Sequence, residues 1–349
     1  MSSSLLRSRT KLAVAFGAAA FLYFRSRNAR KREPERPGGA CKAGELAGSD
    51  GHYVKLSKGR TFYRMYNEHC SPDKCPIVLV HGFVGSSEYF KPLVQCLLRT
   101  ERRIIAIDLY GRGHSDFVDE KHDENLFAHQ VLELLIVLNI TVPIDLVGYS
   151  MGGGVVVRLA SLYRNVLRSL TLIAPVGLPS MTKGPPRALV VALSILKELS
   201  HALYGGYMHE YLISFYIWRM KQKIDGGWTD KSSERFKWFK AHYSKRLETS
   251  ERNTLPKAAA STLMNFKMDG LGEQYSAIGA NERKLPTLTI WGEDDSIVPC
   301  DVDGIKRAIP HAVVKVHKNR NHNFPIQWAE ECALDIRNFF DNDLLPYLV

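Results

Sequence analysis

Short apolar runs separated by polar and helical stretches characterise this 349-residue chain from about residue 52 onward. Tyr53–Leu56 and Thr61–Tyr66 are β-prone and flank a Ser-Lys-Gly-Arg turn, which predicts an antiparallel hairpin. Later apolar runs are bounded by turn residues, as is typical of strands buried on both faces. These runs are Ile77–Val80, Ile104–Ile107, Ile144–Val147, Leu170–Ile173, Leu285–Trp291 and Val313–Val316.

Helical stretches are predicted between several of these runs. They lie at Leu126–Leu138, at Gly152–Tyr163 and from Ile326 to about Leu345. Because strand and helix alternate from Ile77 onward, the pattern predicts an α/β fold. We expect a mostly parallel central sheet with helices on both faces.

The alternation stops between residues 176 and 262, where the chain is helical, basic and aromatic and has no convincing strand. This helical insertion (residues 176–262) divides the predicted core into a first part at 52–175 and a second part at 263–349. Its most apolar stretches are Leu189–Leu196 and Tyr211–Trp218. They could line an apolar pocket, touch a membrane or simply pack on the core.

The net charge of +11, with an isoelectric point of about 9.3, narrows the range of partners. A basic surface attracts nucleic acid or anionic lipid. The chain has no motif of combined aromatic and basic residues typical of nucleic-acid binding, and much of the excess charge flanks an apolar N-terminal segment. We therefore expect a membrane surface as a partner and no nucleic acid.

The six cysteines form no C-x-x-C pair, so the sequence predicts free thiols, with a Cys70–Cys75 disulfide as the alternative. A zinc site would need more ligands near these two cysteines. Nothing in the sequence calls for a metal or an organic cofactor.

Residues 1–36 have the character of a targeting segment, with an apolar run at Leu12–Phe24 between basic clusters. The run is shorter than the roughly 17–25 residues of a membrane span, but snorkelling of Lys11 and Arg25 can complete a single-pass anchor. A cleaved mitochondrial presequence and a secretory signal peptide are the alternatives. We expect anchoring in the endoplasmic reticulum or a mitochondrial membrane, and a linker rich in Pro, Gly and charge at residues 37–51.

The pentapeptide Gly148-Tyr149-Ser150-Met151-Gly152 lies between a predicted strand and a predicted helix. G-x-S-x-G in this context is a nucleophile elbow. Its glycines leave room for a strained turn. The turn presents the serine hydroxyl at a helix N-terminus, where backbone N–H groups and the helix dipole favour an oxyanion. Ser150 is therefore the candidate nucleophile.

The elbow and the D-x-x-G-x-G-x-S pattern at Asp108–Ser115 make the chain similar, over about residues 52–345, to the α/β-hydrolase superfamily. In that family the serine, the acid and the histidine follow one another in this order along the chain. The family's acid turn usually has the form G-x-x-D-x-x-x-P. Gly292 and Pro299 then imply Asp295 as the acid, with Asp294 as the alternative.

The resemblance implies His322 as the base, because it lies in a polar loop beyond the acid turn. His317 is the competing histidine, but it ends a strand pattern. The family usually has a glycine directly before the catalytic histidine, where this chain has Asn321. Asparagine tolerates left-handed backbone angles better than most residues, so this departure is mild.

An oxyanion hole needs two backbone N–H donors. The resemblance assigns one to Met151, directly after the nucleophile, and the other to Phe83 in the loop His81–Gly85. His81 then has a structural role. The resemblance also gives the loop Asp108–Ser115 an architectural role near the mouth of the site. Its glycines do not indicate a dinucleotide site, because the third glycine and the acidic partner are missing.

These residues imply a serine hydrolase that forms an acyl-enzyme. The N-terminal segment, the apolar insertion and the basic surface favour a lipid-like ester, and the overall layout is similar to membrane-anchored monoacylglycerol-lipase-like enzymes. A peptidase of the prolyl-aminopeptidase type, a carbon–carbon bond hydrolase and a thioesterase are alternative enzymes. A non-catalytic binding module is the alternative from a different class, although no member of the triad is missing.

Overall fold

The computed structural model describes residues 51–178, 207–248 and 254–344. Eight strands form one sheet in the order β1-β2-β4-β3-β5-β6-β7-β8. The first two strands are an antiparallel hairpin that pairs with β4, and the remaining neighbours are parallel. The strands are β1 (Gly51–Lys55), β2 (Arg60–Tyr66), β3 (Ile77–Val80), β4 (Ile104–Ile107), β5 (Ile144–Tyr149), β6 (Leu167–Ile173), β7 (Thr287–Gly292) and β8 (Val313–His317).

Helices cover both faces of this sheet, so the predicted fold class is confirmed. In β3, Val78 and Val80 belong to one buried cluster, whereas Ile77 and Leu79 belong to a second cluster. The α-helices of the described residues are α1 (Lys91–Leu97), α2 (Glu124–Val137), α3 (Met151–Leu162), α4 (Tyr207–Gly226), α5 (Glu234–Glu248), α6 (Leu255–Asn265), α7 (Gly272–Ala280), α8 (Val302–Ala308), α9 (Phe324–Gln327) and α10 (Ala329–Asn338). Helices α2 and α3 contribute to the first cluster, and α1 and α10 to the second.

The C-terminal helix and the start of strand β7 differ from the prediction for identifiable reasons. The helix expected from Ile326 to Leu345 is interrupted at Trp328, which has a non-helical backbone (φ −120°, ψ 48°), and a π-helical turn follows α10 at Phe339–Asp343. Strand β7 begins at Thr287 rather than Leu285, because Pro286 has no N–H to donate to a neighbouring strand.

The helical insertion is described in part. Helices α4 and α5 lie within it, whereas the apolar stretch Leu189–Leu196 lies outside the described residues. The targeting segment (1–36) and residues 37–50 of the linker also lie outside them. Along the part of the chain that the structure describes, no helix combines the length and hydropathy needed to cross a bilayer. The predicted domain boundaries therefore stay predictions.

Candidate active site

Ser150 lies at the sharp turn between β5 and α3. Its backbone has φ 55° and ψ −119°, a strained conformation for a residue with a side chain. The turn is so tight that it leaves no room for a side chain at either glycine. A Cβ atom at Gly148 would lie 2.4 Å from the carbonyl oxygen of Gly152, and one at Gly152 would lie 2.1 Å from that of Val80. Only glycine fits at both positions, which explains the G-x-S-x-G spacing.

His322 lies in the loop between β8 and α9, and its Nε2 is 3.0 Å from Ser150 Oγ. Its Nδ1 is 2.7 Å from Asp295 Oδ2. The carboxylate can only accept, so His322 donates from Nδ1 and keeps Nε2 as the acceptor for the serine hydroxyl. The three residues predicted from the sequence thus form one hydrogen-bonded chain, and all three are buried.

The acid turn distinguishes its neighbouring carboxylates. Asp295 is 5% exposed, and its Oδ1 accepts hydrogen bonds from the backbone N–H groups of Ile297 and Val298, at 2.9 and 2.8 Å. These bonds leave Oδ2 for His322. The side chain of Asp294 is exposed, and its backbone N–H donates to the carbonyl oxygen of Arg320. The geometry therefore favours Asp295 as the partner of the histidine.

His317 forms different contacts. It ends β8, where its Nε2 lies 2.6 Å from Asp335 Oδ2 and its ring packs on Phe324 with centroids 4.5 Å apart. The ring of His317 thus engages a carboxylate of α10, and His322 is the histidine that contacts Ser150.

Tyr149 contacts His322 through its hydroxyl and its ring. Its hydroxyl donates to the backbone carbonyl of His322 at 2.8 Å, and the two rings lie 5.1 Å apart. Burial, followed by the charge of Asp295, raises the pKa of Tyr149 well above its ordinary value, so the phenol stays a donor. Sequence reasoning missed this contact, because Tyr149 occupies a variable position of the elbow motif.

The loop after β3 orients the predicted oxyanion donor. The backbone N–H of Leu109 donates to His81 Nε2 at 3.0 Å, so the neutral ring donates from Nδ1 to the carbonyl oxygen of Gly82 at 2.7 Å. Because C=O and N–H point in opposite directions in a trans peptide, the N–H of Phe83 points away from His81. A Cβ atom at Gly82 would lie 3.5 Å from Ser150 Oγ, so this loop lies against Ser150.

Met151 is the first residue of α3. Its N–H is one of the four at a helix N-terminus that have no acceptor within the helix. The predicted pair of oxyanion donors, Phe83 and Met151, therefore flanks the serine from the loop and from the helix. Their role stays a prediction.

Arg112 is a second residue that sequence reasoning missed. Its guanidinium is buried and donates to the carbonyl oxygens of Phe83 and Tyr110, at 2.7 and 3.0 Å, and to Thr262 Oγ1 at 2.7 Å. Burial lowers the pKa of Arg112 to about 9. This value is still above neutral pH, so the guanidinium stays a cation. Its place within the loop Asp108–Ser115 was the available signal, since that loop was expected to be architectural.

Asp108 has the architectural role that its motif suggests. Its two carboxylate oxygens accept from the backbone N–H groups of Ser87 and His114, at 2.6 and 2.8 Å.

Within residues 51–178, 207–248 and 254–344, no cluster of three or more His, Cys, Asp or Glu residues could hold a metal ion. The cysteines in these ranges are free thiols.

Comparisons with known proteins identify the family of this fold. A family model described as "alpha/beta hydrolase fold" matches residues 76–327. The chain is 25% identical over 282 residues to the non-heme chloroperoxidase CPO-A1 of Kitasatospora aureofaciens, across 78% of this chain and 92% of that protein. It is 27% identical over 275 residues to Lipase 1 of Psychrobacter immobilis, across 76% of each chain.

Among solved structures, a thermophilic esterase from Thermogutta terrifontis has a TM-score of 0.62 and 21% sequence identity. The match covers 83% of this chain and 98% of the esterase. At this level of identity, the likeness to the esterase shows the fold alone.

Proposed function

This chain belongs to the α/β-hydrolase fold family, and we propose that it is a serine hydrolase that cleaves a carboxylic ester through an acyl-enzyme. The observation that carries the proposal is the hydrogen-bonded chain from Ser150 through His322 to Asp295. Such a chain activates a serine hydroxyl, which is a weak nucleophile on its own.

In the proposed mechanism, Ser150 Oγ attacks the acyl carbonyl while His322 Nε2 takes the hydroxyl proton. Asp295 holds the imidazole in the required tautomer and stabilises the imidazolium. The N–H groups of Phe83 and Met151 bind the tetrahedral oxyanion. His322 then protonates the leaving alcohol, and water hydrolyses the acyl-enzyme with the same residue as base.

We propose a lipid-like acyl ester of the monoacylglycerol type as the substrate. The apolar surroundings of the loop His81–Gly85 support a substrate with an apolar acyl chain. The ring of Tyr216 on helix α4 lies beside that of Phe83, with 6.4 Å between the ring centroids. Ile213 and Ile217 on the same helix are buried in the apolar cluster that also contains Phe83 and Met151. The similarity to Lipase 1 points in the same direction.

We also propose that residues 1–36 anchor the protein in the endoplasmic reticulum or a mitochondrial membrane. The support is the apolar run Leu12–Phe24 with its basic flanks. Alkaline extraction of membranes from cells that express the full chain would test it. A membrane-bound chain of full mass supports an anchor. A shortened, extractable chain supports the cleaved presequence or signal peptide instead.

The catalytic proposal is tested by fluorophosphonate labelling of the wild type and of Ser150→Ala, together with turnover of a monoacylglycerol and of short nitrophenyl esters. We expect labelling that is lost in the variant and turnover of the long-chain ester. Activity on short esters alone would retain the hydrolase and direct the search towards peptides, thioesters or carbon–carbon bonds. A folded wild type that is not labelled would contradict the proposal and favour a binding module.

A further inference from the structure

Two asparagines flank His322, and both direct their side-chain amides to the end of helix α4 in the insertion. Asn321 Nδ2 donates to the carbonyl oxygen of Gly227, the residue directly after α4. Asn323 Nδ2 donates to the carbonyl oxygen of Ile224, in the last turn of α4, at 2.8 Å. The base loop (residues 318–328) thus donates hydrogen bonds to the C-terminal end of α4 from both sides of His322.

These hydrogen bonds meet a specific need of the helix. The last four carbonyl groups of an α-helix have no N–H donor within the helix, and the helix dipole makes that end partly negative. Asn323 donates to one of these carbonyls, that of Ile224, which also accepts the backbone N–H of Gly227 at 3.2 Å, and Asn321 donates to the first carbonyl after the helix. Asn323 is 2% exposed, so water cannot readily replace its amide.

The orientation of the Asn321 amide is fixed by its other contact. Asn321 Oδ1 accepts from the backbone N–H of Asn323 at 3.0 Å, so the nitrogen is the atom that faces Gly227. The sequence suggested that asparagine replaces glycine here because it tolerates left-handed backbone angles. The structure differs, because the positive φ in this loop belongs to Asn319 (57°) and not to Asn321. The side-chain amide is therefore the feature that distinguishes Asn321 from the usual glycine.

Further contacts hold the same two segments together. Gln327 Nε2 donates to the carbonyl oxygen of Gly227 at 2.9 Å, and Arg235 of α5 donates to the carbonyl oxygen of Gln327 at 2.8 Å. Below these bonds lies a buried apolar cluster that joins the insertion to the core: Tyr89, Ile224, Trp228, Phe236, Phe239 and Ile326. The turn between α4 and α5 is thus docked on the segment that follows His322.

His322 itself is held from both sides. Tyr149 binds its backbone carbonyl from the core, whereas its neighbours Asn321 and Asn323 bind the insertion. The two asparagines are each one residue from His322, so a shift of the end of α4 is transmitted to the histidine backbone. Such a shift would change the 3.0 Å distance between His322 Nε2 and Ser150 Oγ, which the proposed proton transfer requires.

We propose that Asn321 and Asn323 are positioning residues that make the docked end of α4 part of the support for the catalytic base. This inference rests on the proposed function of His322. It implies that substrate enters without lifting the turn between α4 and α5, because lifting that turn withdraws the partners of both asparagines. The insertion then acts at this end as a fixed brace, and any opening takes place elsewhere.

The inference is tested with Asn323→Asp, which keeps the shape of the side chain and removes the donor, and with Asn321→Gly, which restores the residue usual in the family. Asn265→Asp is the matched control, because Asn265 Nδ2 also donates to a helix carbonyl, that of Ser261, at 2.7 Å. The full-length protein is used throughout. The measurements are kcat, KM, the rate of fluorophosphonate labelling at Ser150 and the melting temperature.

We expect both variants to lower kcat and the labelling rate by about 10- to 100-fold with little change in KM, since a displacement on the order of 1 Å in a catalytic group has effects of this size. Asn265→Asp should keep both rates within about twofold of the wild type. Asn321→Gln retains an amide donor and should recover part of the rate lost in Asn321→Gly. Rates of Asn321→Gly and Asn323→Asp within about twofold of the wild type would overturn the inference.

Hydrogen exchange provides a readout that does not depend on activity. Removing either amide should raise exchange in both the base loop (318–328) and the turn between α4 and α5 (224–234), although each substitution alters only the base loop. Faster exchange in the base loop alone would contradict the brace. If the variants raise exchange in both segments as expected but the wild type is not labelled, the proposed function fails while the brace stands, so the two failures are distinguishable. If Asn323→Asp does not fold, the partly exposed Asn321 variants decide the question.

Discussion

Strand β5 carries a buried carboxylate network at each end, and the two networks serve different purposes. At its first residues, Asp145 is fully buried and bound by the side chains of Arg102, Arg168 and Ser169. At its last residues the strand leads into Ser150, His322 and Asp295. Both ends combine buried charge with ion-pair geometry, so these properties alone do not identify an active site.

The two networks differ in backbone strain and in the groups that their hydrogen bonds connect. At the Asp145 end, all the partners donate hydrogen bonds to one carboxylate. The guanidiniums of Arg102 and Arg168 also lie over the ring of Phe340, at 4.8 and 5.5 Å from its centroid. At the Ser150 end, the hydrogen bonds run in one direction, from the hydroxyl of a residue held at φ 55° through His322 to the carboxylate of Asp295. Backbone strain at a serine that is hydrogen-bonded to a histidine is the feature expected of a functional site, and the Asp145 end lacks it.

The same substitution at the two ends gives the strongest test of this contrast, and Asp295→Asn has the larger effect. We expect kcat to fall by about 10⁴-fold, because the amide can select the wrong tautomer of His322 and cannot stabilise its cation. The melting temperature should change little, because the carbonyl oxygen of the new amide can still accept from the N–H groups of Ile297 and Val298. A large loss of stability with retained turnover would contradict the assignment of Asp295 to the reaction.

Asp145→Asn should have the opposite profile. Removing the charge leaves two arginines without a carboxylate, and we expect the free energy of unfolding to fall by about 2–3 kcal/mol, at the low end for a buried pair because both guanidiniums retain some contact with water. Chemical denaturation measures this change. The turnover of the folded fraction should stay within about twofold of the wild type, since the cluster lies at the opposite end of the strand. A fall in kcat without a fall in stability would show that the two ends are coupled.

Much of the fold could be predicted from the sequence, because parallel strands buried on both faces give continuous apolar runs. Ile77–Val80 and Ile104–Ile107 match β3 and β4 at both ends. The helix ends were less predictable. The interruption at Trp328 has no proline or glycine at that position to signal it, and it depends on contacts that the rest of the chain supplies.

The candidate site was predictable where chemistry restricts the residue type, and unpredictable where support comes from a distance. Ser150, Asp295 and His322 follow from motifs, because few side chains can perform each step. Asn321, Tyr149 and Arg112 act through backbone carbonyls of segments far away in the chain. A carbonyl carries no sequence signal, so these partners became visible only in three dimensions.

Tyr149 at the end of β5 allows a finer test, because it connects the sheet to the catalytic loop. Tyr149→Phe leaves the buried carbonyl of His322 without its donor, and we expect a loss of about 1–3 kcal/mol divided between stability and the catalytic barrier. Thermal unfolding and kcat, measured on the same samples, separate the two parts.

Tyr275→Phe is the matched control for Tyr149→Phe. Tyr275 is also buried, and its hydroxyl also donates to a backbone carbonyl, that of Val176, at 2.8 Å. The control should lose a similar amount of stability with a smaller fall in kcat, because Val176 contacts the backbone carbonyl of Ser150, at 3.2 Å, and not the loop that carries His322. If both variants change stability alone, Tyr149 belongs to the structural end of the comparison and not to the catalytic one.

Arg112 and His122 form a third buried polar cluster, in which the arginine donates to neutral acceptors. These acceptors are carbonyl oxygens and a hydroxyl, and Arg112 Nη1 lies 3.4 Å from His122 Nδ1. His122 Nε2 lies 3.0 Å from the carbonyl oxygen of Val118 and donates to it, so the neutral ring presents Nδ1 to the cation. Protonation of His122 would place two positive charges side by side.

This cluster predicts the smallest effect, a dependence of stability on pH. Burial, reinforced by the charge of Arg112, lowers the pKa of His122 from 6.5 to about 4, despite the opposing influence of Val118, Asp119 and Asp123. Between these two values the unfolded chain binds a proton that the native protein does not, so stability decreases as the pH falls. We expect a loss of about 1 kcal/mol from this residue between about pH 7 and pH 5.5. Urea unfolding at both pH values should show a smaller decrease in His122→Gln than in the wild type, and an equal decrease in the two proteins would mean that the ring is already charged or exposed in the native state.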